Sequence, residues 1–276
     1  MRQQEAAPPV VRNLRFNLEK EQVPRYWHGG RRAVSLFFDN LSIFFPAGER
    51  FFIASVRAHL VHVRDPQLAA AVQAFCKQES LHTREHLRYN ELLAAQGYPV
   101  AAMEERVIRL LRRVSRRLPA RSQLAATCAL EHFTATLAHL VLKDPRLLEG
   151  AHPAMAALWR WHAAEESEHR AVAFDVFRAA GGTYSERVLI MLLASLVFWS
   201  RVVRQQVRLM HADGILWSLR EWARLGHFLF VEPGGMLRLF WLYLPYFRPS
   251  FHPLDLESEE LVAAWQRELE TAPIPE

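Results

Sequence analysis

Through most of the chain, apolar side chains return every three or four positions, and no apolar–polar alternation persists long enough to read as a strand. That period predicts an all-α protein. Asp65-Pro66 and Asp144-Pro145 each place a capping acid before a proline suited to a first helical turn. Pro119 and Pro153 mark two further starts, and Gly97, Gly150 and the Gly181-Gly182 pair mark ends. Long helices are therefore predicted over about 33–63 (bent near Pro46), 66–95, 119–142 and 153–179, with a shorter arginine-rich helix at about 101–117. "AHLVHVRDPQL" (58–68) is echoed by "AHLVLKDPRL" (138–147), each closing one long helix and opening the next element.

The pattern changes after residue 183. "RVLIMLLASLVFWS" (187–200) is intensely apolar, but it is shorter than the roughly 20 residues of a membrane span and is followed by Arg201 and Arg204. Residues 226–253 are rich in aromatics, proline and arginine. Packing onto the helices before it is one reading of this region; a membrane-facing surface or the wall of a lipophilic channel is the other. The expected organisation is an N-terminal extension (1–24), a helical bundle (25–183), an apolar helical region (184–253) and a short tail helix (254–276).

Composition narrows the classes. The net charge of +5 is almost wholly arginine, concentrated at Arg106, Arg109, Arg112, Arg113, Arg116 and Arg117. A solvated helix face explains that run, and contact with an anionic membrane or an acidic partner is the alternative. No nucleic-acid partner is expected, because no aromatic–basic motif or binding module accompanies the charge. Cys76 and Cys128 form no CxxC pair, which argues against a thiolate zinc site and fits a reducing compartment. The first residues, MRQQEAAPPVVRNLRF, lack a signal-like apolar stretch. A cytoplasmic location is expected, with peripheral membrane association and a homodimer left open.

Candidate chemistry lies in two stretches. In "WHAAEESEHR" (161–170), His162, Glu166 and His169 fall on one helical face at i, i+4 and i+7, while Glu165 sits beside it and Glu168 points elsewhere. In "QESLHTREH" (78–86), Glu79, His82 and His86 form a similar stripe. Each Glu-x-x-His helix follows a long helix with one glutamate in apolar surroundings, Glu49 in "FPAGERFF" and Glu131 in "CALEHFTA". One Glu from each of two helices and a Glu-x-x-His from each of the other two make the di-metal carboxylate pattern of a ferritin-like four-helix bundle. An unpaired carboxylate in a bundle core costs several kcal/mol, and two divalent cations would turn the repulsion of four into ligation. Carboxylate with imidazole and no thiolate suits iron first, then manganese or a mixed pair. The candidate metal ligands are Glu49, Glu79, His82, Glu131, His162, Glu166 and His169. Glu165 and His86 stand behind them as candidate acid–base residues.

"FPAGERFF", "QESLHTREH", "LEHFTA" and "WHAAEESEHRAVAFDV" resemble a bacterial family labelled predicted metal-dependent hydrolase, a ferritin-like group, over about residues 25–250. In the ligand pattern alone, His162, Glu166 and His169 also resemble the His-x-x-x-Glu-x-x-His of di-iron arylamine N-oxygenases, where the extra histidine is a further ligand. The combined expectation is an all-α, ferritin-like bundle with a di-metal core and additional C-terminal helices. Three functions fit: an O2-activating di-iron oxidase or oxygenase using an electron donor and a small lipophilic substrate; a binuclear hydrolase, the alternative that the first resemblance implies; and a non-catalytic metal protein. The ligand pattern favours the oxygenase.

Overall fold

The computed structural model describes residues 8–271, and it is all-helical across them. Residues 1–7 of the expected extension and 272–276 of the expected tail lie outside the described residues. Two antiparallel hairpins make the centre. The first pairs α1 (Arg32–Arg57) with α2 (Pro66–Ala95); α3 (Val100–Arg117) then leads to α4 (Ala120–Lys143), which pairs with α5 (Pro153–His169). Helix α1 also packs on α4, and α2 on α5, so four helices enclose one core, consistent with a ferritin-like bundle.

Local chemistry sets the boundaries. Asp65 accepts from Gln67 N and Leu68 N at 3.0 and 3.2 Å with Pro66 at the first turn, and Gly97 closes the following turn at φ +93°. Two expected helices end sooner. The first stops at Arg57 and yields to a 3-10 turn at Leu60–His62. The last, expected to run to 179, breaks after His169 and resumes as α6 (Val172–Ala179). At the break, the buried Arg170 folds back on the Ser167 carbonyl and also pairs with Glu259. Asp144-Pro145 opens a 3-10 turn, Pro145–Leu148, instead of a full helix.

Pro46 lies inside α1 without ending it. It has no N–H for the Ser42 carbonyl four residues back, and Asn90 Nδ2 of α2 reaches that carbonyl at 3.4 Å.

The later helices cover the bundle from outside. They are α7 (Tyr184–Ala212), α8 (Leu219–Phe230), α9 (Gly235–Tyr243) and α10 (Glu259–Thr271). Helix α7 packs on α1 and α4 and leaves Leu189, Leu192, Leu196 and Val203 exposed on its other side. Among the described residues one helix, α4, is long and apolar enough to cross a membrane, and 72% of its apolar window is buried inside the protein. Cys76 and Cys128 are buried and unbridged.

Candidate metal centre

All seven candidate ligands are buried: Glu49 on α1, Glu79 and His82 on α2, Glu131 on α4, and His162, Glu166 and His169 on α5. They converge. Ligand atoms of Glu49, Glu79 and His82 lie within 4.8 Å of one another, as do those of Glu79, Glu131, Glu166 and His169, and those of His82, His162 and Glu166. Glu79 belongs to the first and second groups, and Glu166 to the second and third. A fourth group, Glu49, His86 and His162, meets the same distance, so His162 stands on the Glu49–His82 side and adds one further imidazole to the six donors.

Contacts within the cluster are close. His169 Nε2 is 3.1 Å from Glu79 and 3.5 Å from both Glu131 and Glu166. His162 Nε2 is 3.1 Å from Glu166 Oε1, and His82 Nδ1 is 3.5 Å from the same oxygen. Burial, then Glu79 and Glu166 respectively, raises the Glu49 and Glu131 carboxyls well above the ordinary range. Burial alone would raise Glu166 too, but His169, His162 and His82 together hold it well below. Burial works against charge on His82, and the carboxylates of Glu165, Glu166 and Glu79 outweigh it, pushing that ring up to about 10. His162 is pulled down to about 4, by burial first and then by His82.

The donor set fits metal cations. Buried atoms without a hydrogen-bond partner include one nitrogen from each histidine (His82 Nδ1, His162 Nε2, His169 Nε2), both oxygens of Glu79 and of Glu131, Glu49 Oε1 and Glu166 Oε2. Buried polar groups are almost always satisfied, so orphans concentrated around one point call for a missing positive partner. Carboxylate and imidazole together, without sulfur, make a donor set that metal cations accept.

The other nitrogen of each histidine is held from behind. Glu165 Oε2 lies 3.1 Å from His82 Nε2, Gln78 Oε1 lies 3.0 Å from His169 Nδ1, and His86 Nε2 lies 2.7 Å from His162 Nδ1. Such outer partners fix which nitrogen is free and aim the ring. In all three pairs the holder comes from the opposite hairpin. Behind His86, Ser42 Oγ lies 3.0 Å from its Nδ1 and donates to Asn90 Oδ1 at 2.9 Å, and Asn90 donates to Glu104. Thr83 donates to Glu49 Oε2 at 2.7 Å.

The sequence reading missed Gln78, Ser42 and Thr83. Gln78 was legible: it immediately precedes the Glu of its Glu-x-x-His, as Glu165 precedes the other. Ser42 and Thr83 carried no signal beyond helical spacing. Glu165 and His86, the expected acid–base residues, do not line the apolar cavity beside the centre, and both of His86's ring nitrogens are engaged. Glu168 turns outward, gripping Arg12 at 2.7 Å and accepting from Gln78 Nε2 at 3.0 Å. The chain before α1 is strapped there: Arg12 N donates to Glu165 Oε1 at 3.3 Å and Phe16 N to Glu85 at 3.2 Å.

Beside the centre lies an apolar cavity of about 70 Å³, walled by Phe38, Leu41, Phe45, Trp159 and His162 among others. The Phe45 ring lies 4.7 Å from that of His162 and 4.6 Å from that of His86, between centroids.

No curated protein and no solved structure matches the chain. A buried carboxylate–imidazole cluster is what a metal-dependent protein requires, and over residues 10–257 the chain belongs to the family described as predicted metal-dependent hydrolase.

Proposed function

We propose that the chain is a binuclear metal-dependent hydrolase acting on a small lipophilic substrate. The observation that carries the metal is the convergence of orphaned buried donors from Glu49, Glu79, His82, Glu131, His162, Glu166 and His169. Iron is the first choice of ion, manganese or a mixed pair the next. The family description supports hydrolysis over the O2 chemistry that the ligand pattern put first. Bound there, two divalent ions supply Lewis-acid chemistry, polarising an ester, amide or phosphoryl oxygen and acidifying water.

The protein's own part is positioning. Glu165, Gln78 and His86 aim the three imidazoles. Phe45, Trp159 and the aliphatic wall receive apolar substrate and keep bulk water from the carboxylates. Peripheral membrane contact remains part of the proposal, supported by the exposed apolar stripe of α7 beside Arg201 and Arg204.

One observation favours O2 activation as the second reading. The cavity touching His162 has few polar side chains, Thr134, Trp159 and His162, and the Thr134 hydroxyl is spent on the Glu131 carbonyl at 3.0 Å. Such a wall suits an unactivated hydrocarbon. Elemental analysis of the purified protein, followed by parallel assays of ester hydrolysis and of O2 uptake by the reduced protein, decides. About two metal ions per chain, with hydrolysis that chelation abolishes, is the expected result. Metal with O2 uptake and no hydrolysis moves the second reading forward, and absence of metal sinks both.

A further inference from the structure

A larger cavity of about 190 Å³ lies between α1, α3, α4 and α7, and its wall is almost entirely apolar. It shares Leu41, Phe45, Thr134 and Leu137 with the smaller cavity that touches His162. The larger one also borders the two lone glutamates. Phe45 and Phe52 stand one turn before and one turn after Glu49 on α1, and Thr134 stands one turn after Glu131 on α4. The Thr134 hydroxyl is already spent on the Glu131 carbonyl. Leu193 and Val197 of α7 line the cavity and are exposed at the surface, so its outer wall faces solvent.

Two features lower stability at this one place. An empty apolar cavity forfeits packing in proportion to its size. Gly48, which lines it beside Glu49, lies in the interior of α1, where glycine is less stable than alanine. Its backbone is helical, and a Cβ there would meet nothing nearer than Phe52 Cζ at 3.8 Å, an ordinary contact. Neither conformation nor close approach therefore calls for glycine. Phe52 itself lines the cavity, so a side chain at position 48 would extend into that space.

The wall restricts the occupant. A cavity of roughly 150 Å³ lined by leucine, isoleucine and phenylalanine stays dry and takes up benzene, so this one accommodates a hydrocarbon group of about six to eight carbons. A charged group or an amide N–H would give up water here and find no partner. A carboxylic ester carries neither.

Resting on the reading that the metal centre hydrolyses a lipophilic substrate, we infer that this cavity binds the hydrocarbon part of an uncharged carboxylic ester, and that Gly48 keeps the space for it. The ester group then lies at the Phe45 end, where the smaller cavity meets His162. Its hydrolysis consumes one water. The water oxygen bonds to the acyl carbon, and the bond from that carbon to the alcohol oxygen breaks, its electron pair leaving on the oxygen. A water proton ends there, giving a carboxylic acid and an alcohol.

The test has two arms on the protein as purified, with metal content measured on every sample. The first is binding of benzene, which has no cleavable bond, read as a saturable rise in Tm. The second is acid release from the methyl esters of acetate, butyrate, hexanoate, octanoate and decanoate. The expected kcat/KM rises by about fourfold for each added CH2 up to about eight carbons and falls for decanoate. Gly48→Leu is expected to remove the benzene effect and to lower the octanoate-to-acetate ratio of kcat/KM by about tenfold or more, at unchanged metal content. Ala126→Val, which fills the same cavity from α4, acts in the same direction and serves should Gly48→Leu fail to fold. Gly48→Ala is expected to raise Tm. No benzene binding, a flat chain-length profile, or an unchanged ratio in both variants overturns the inference, and hydrolysis accompanying any of these spares the hydrolase reading. Benzene binding that Gly48→Leu removes, with metal but no ester hydrolysis, keeps the hydrocarbon site and defeats the hydrolase reading instead.

Discussion

The two hairpins of the bundle, α1–α2 and α4–α5, present the same ligands in different settings. Each supplies a lone glutamate and then a Glu-x-x-His, and the residue before that motif crosses over to steady the other hairpin's histidine. In the first hairpin that residue is neutral Gln78; in the second it is the carboxylate Glu165. Glu49 has a donor in Thr83, whereas both oxygens of Glu131 lack partners. The second hairpin alone adds His162, which leans on His86 of the first. Symmetry holds among the six donors of the lone glutamates and the Glu-x-x-His motifs, and it fails at His162 and immediately behind the motifs. Chemically equivalent donors can therefore be tuned to different strength at the two proposed metal positions.

The sharpest break of this comparison is removal of a lone glutamate. Glu131→Ala is expected to abolish binding of at least one ion, and Glu49→Ala to affect the other position, read as metal-to-protein ratio by elemental analysis. Equal ratios in the parent and both variants would show that the inward face has been misassigned.

Next come the two crossing residues. Replacing an outer partner of a ligating histidine costs about 10- to 100-fold in metal affinity. Glu165→Ala is expected at the upper end of that range and Gln78→Ala at the lower, because a carboxylate strengthens an imidazole more than an amide does. Competition with a chromophoric chelator measures both, and the opposite order would refute the asymmetry.

Acid should act on the histidines of both hairpins. Before a metal enters, the surrounding carboxylates keep His82 protonated (its pKa is pushed up to about 10) and raise His169 well above its ordinary value. Binding must displace those protons. Metal affinity falls as pH drops, and protons are released at neutral pH. Titrations in two buffers of different ionisation heat would show this, and identical heats would contradict it.

A smaller effect is expected at Asp39, a buried carboxyl of α1 that accepts from Trp27 Nε1 at 2.8 Å and Tyr89 Oη at 2.6 Å. The equivalent step on α4, ten residues before its glutamate, is exposed Arg121. Burial pushes Asp39 up to about 7. Because the folded value exceeds the unfolded one, the contribution of this group is present below about 3.8 and is lost as pH rises through about 7. Asp39→Asn keeps the acceptor and removes that loss, so its Tm relative to the parent should rise between pH 5 and 8, by about 5 °C at the upper end. A pH-independent difference would mean that Asp39 does not titrate. The smallest effect is at Glu168: Glu168→Ala should leave metal content unchanged while releasing Arg12 and the Nε2 of Gln78, seen as faster proteolysis near Arg12.

The sequence alone determined the helical class, the separate helices and the inward stripe, because helical period, capping acids and prolines are local properties. Glu49, Glu79, His82, Glu131, His162, Glu166 and His169 were legible because charge embedded in apolar helix needs compensation wherever the helix is placed. Tertiary structure decided the rest. The stop at His169 depends on Arg170 meeting Glu259, which lies on a helix far along the chain. The pairings of Glu165 with His82, Gln78 with His169 and His86 with His162 exist only once two hairpins face each other. The apolar cavity of about 190 Å³ between α1, α3, α4 and α7 is likewise built from four helices, and no periodicity within one segment encodes the space between segments.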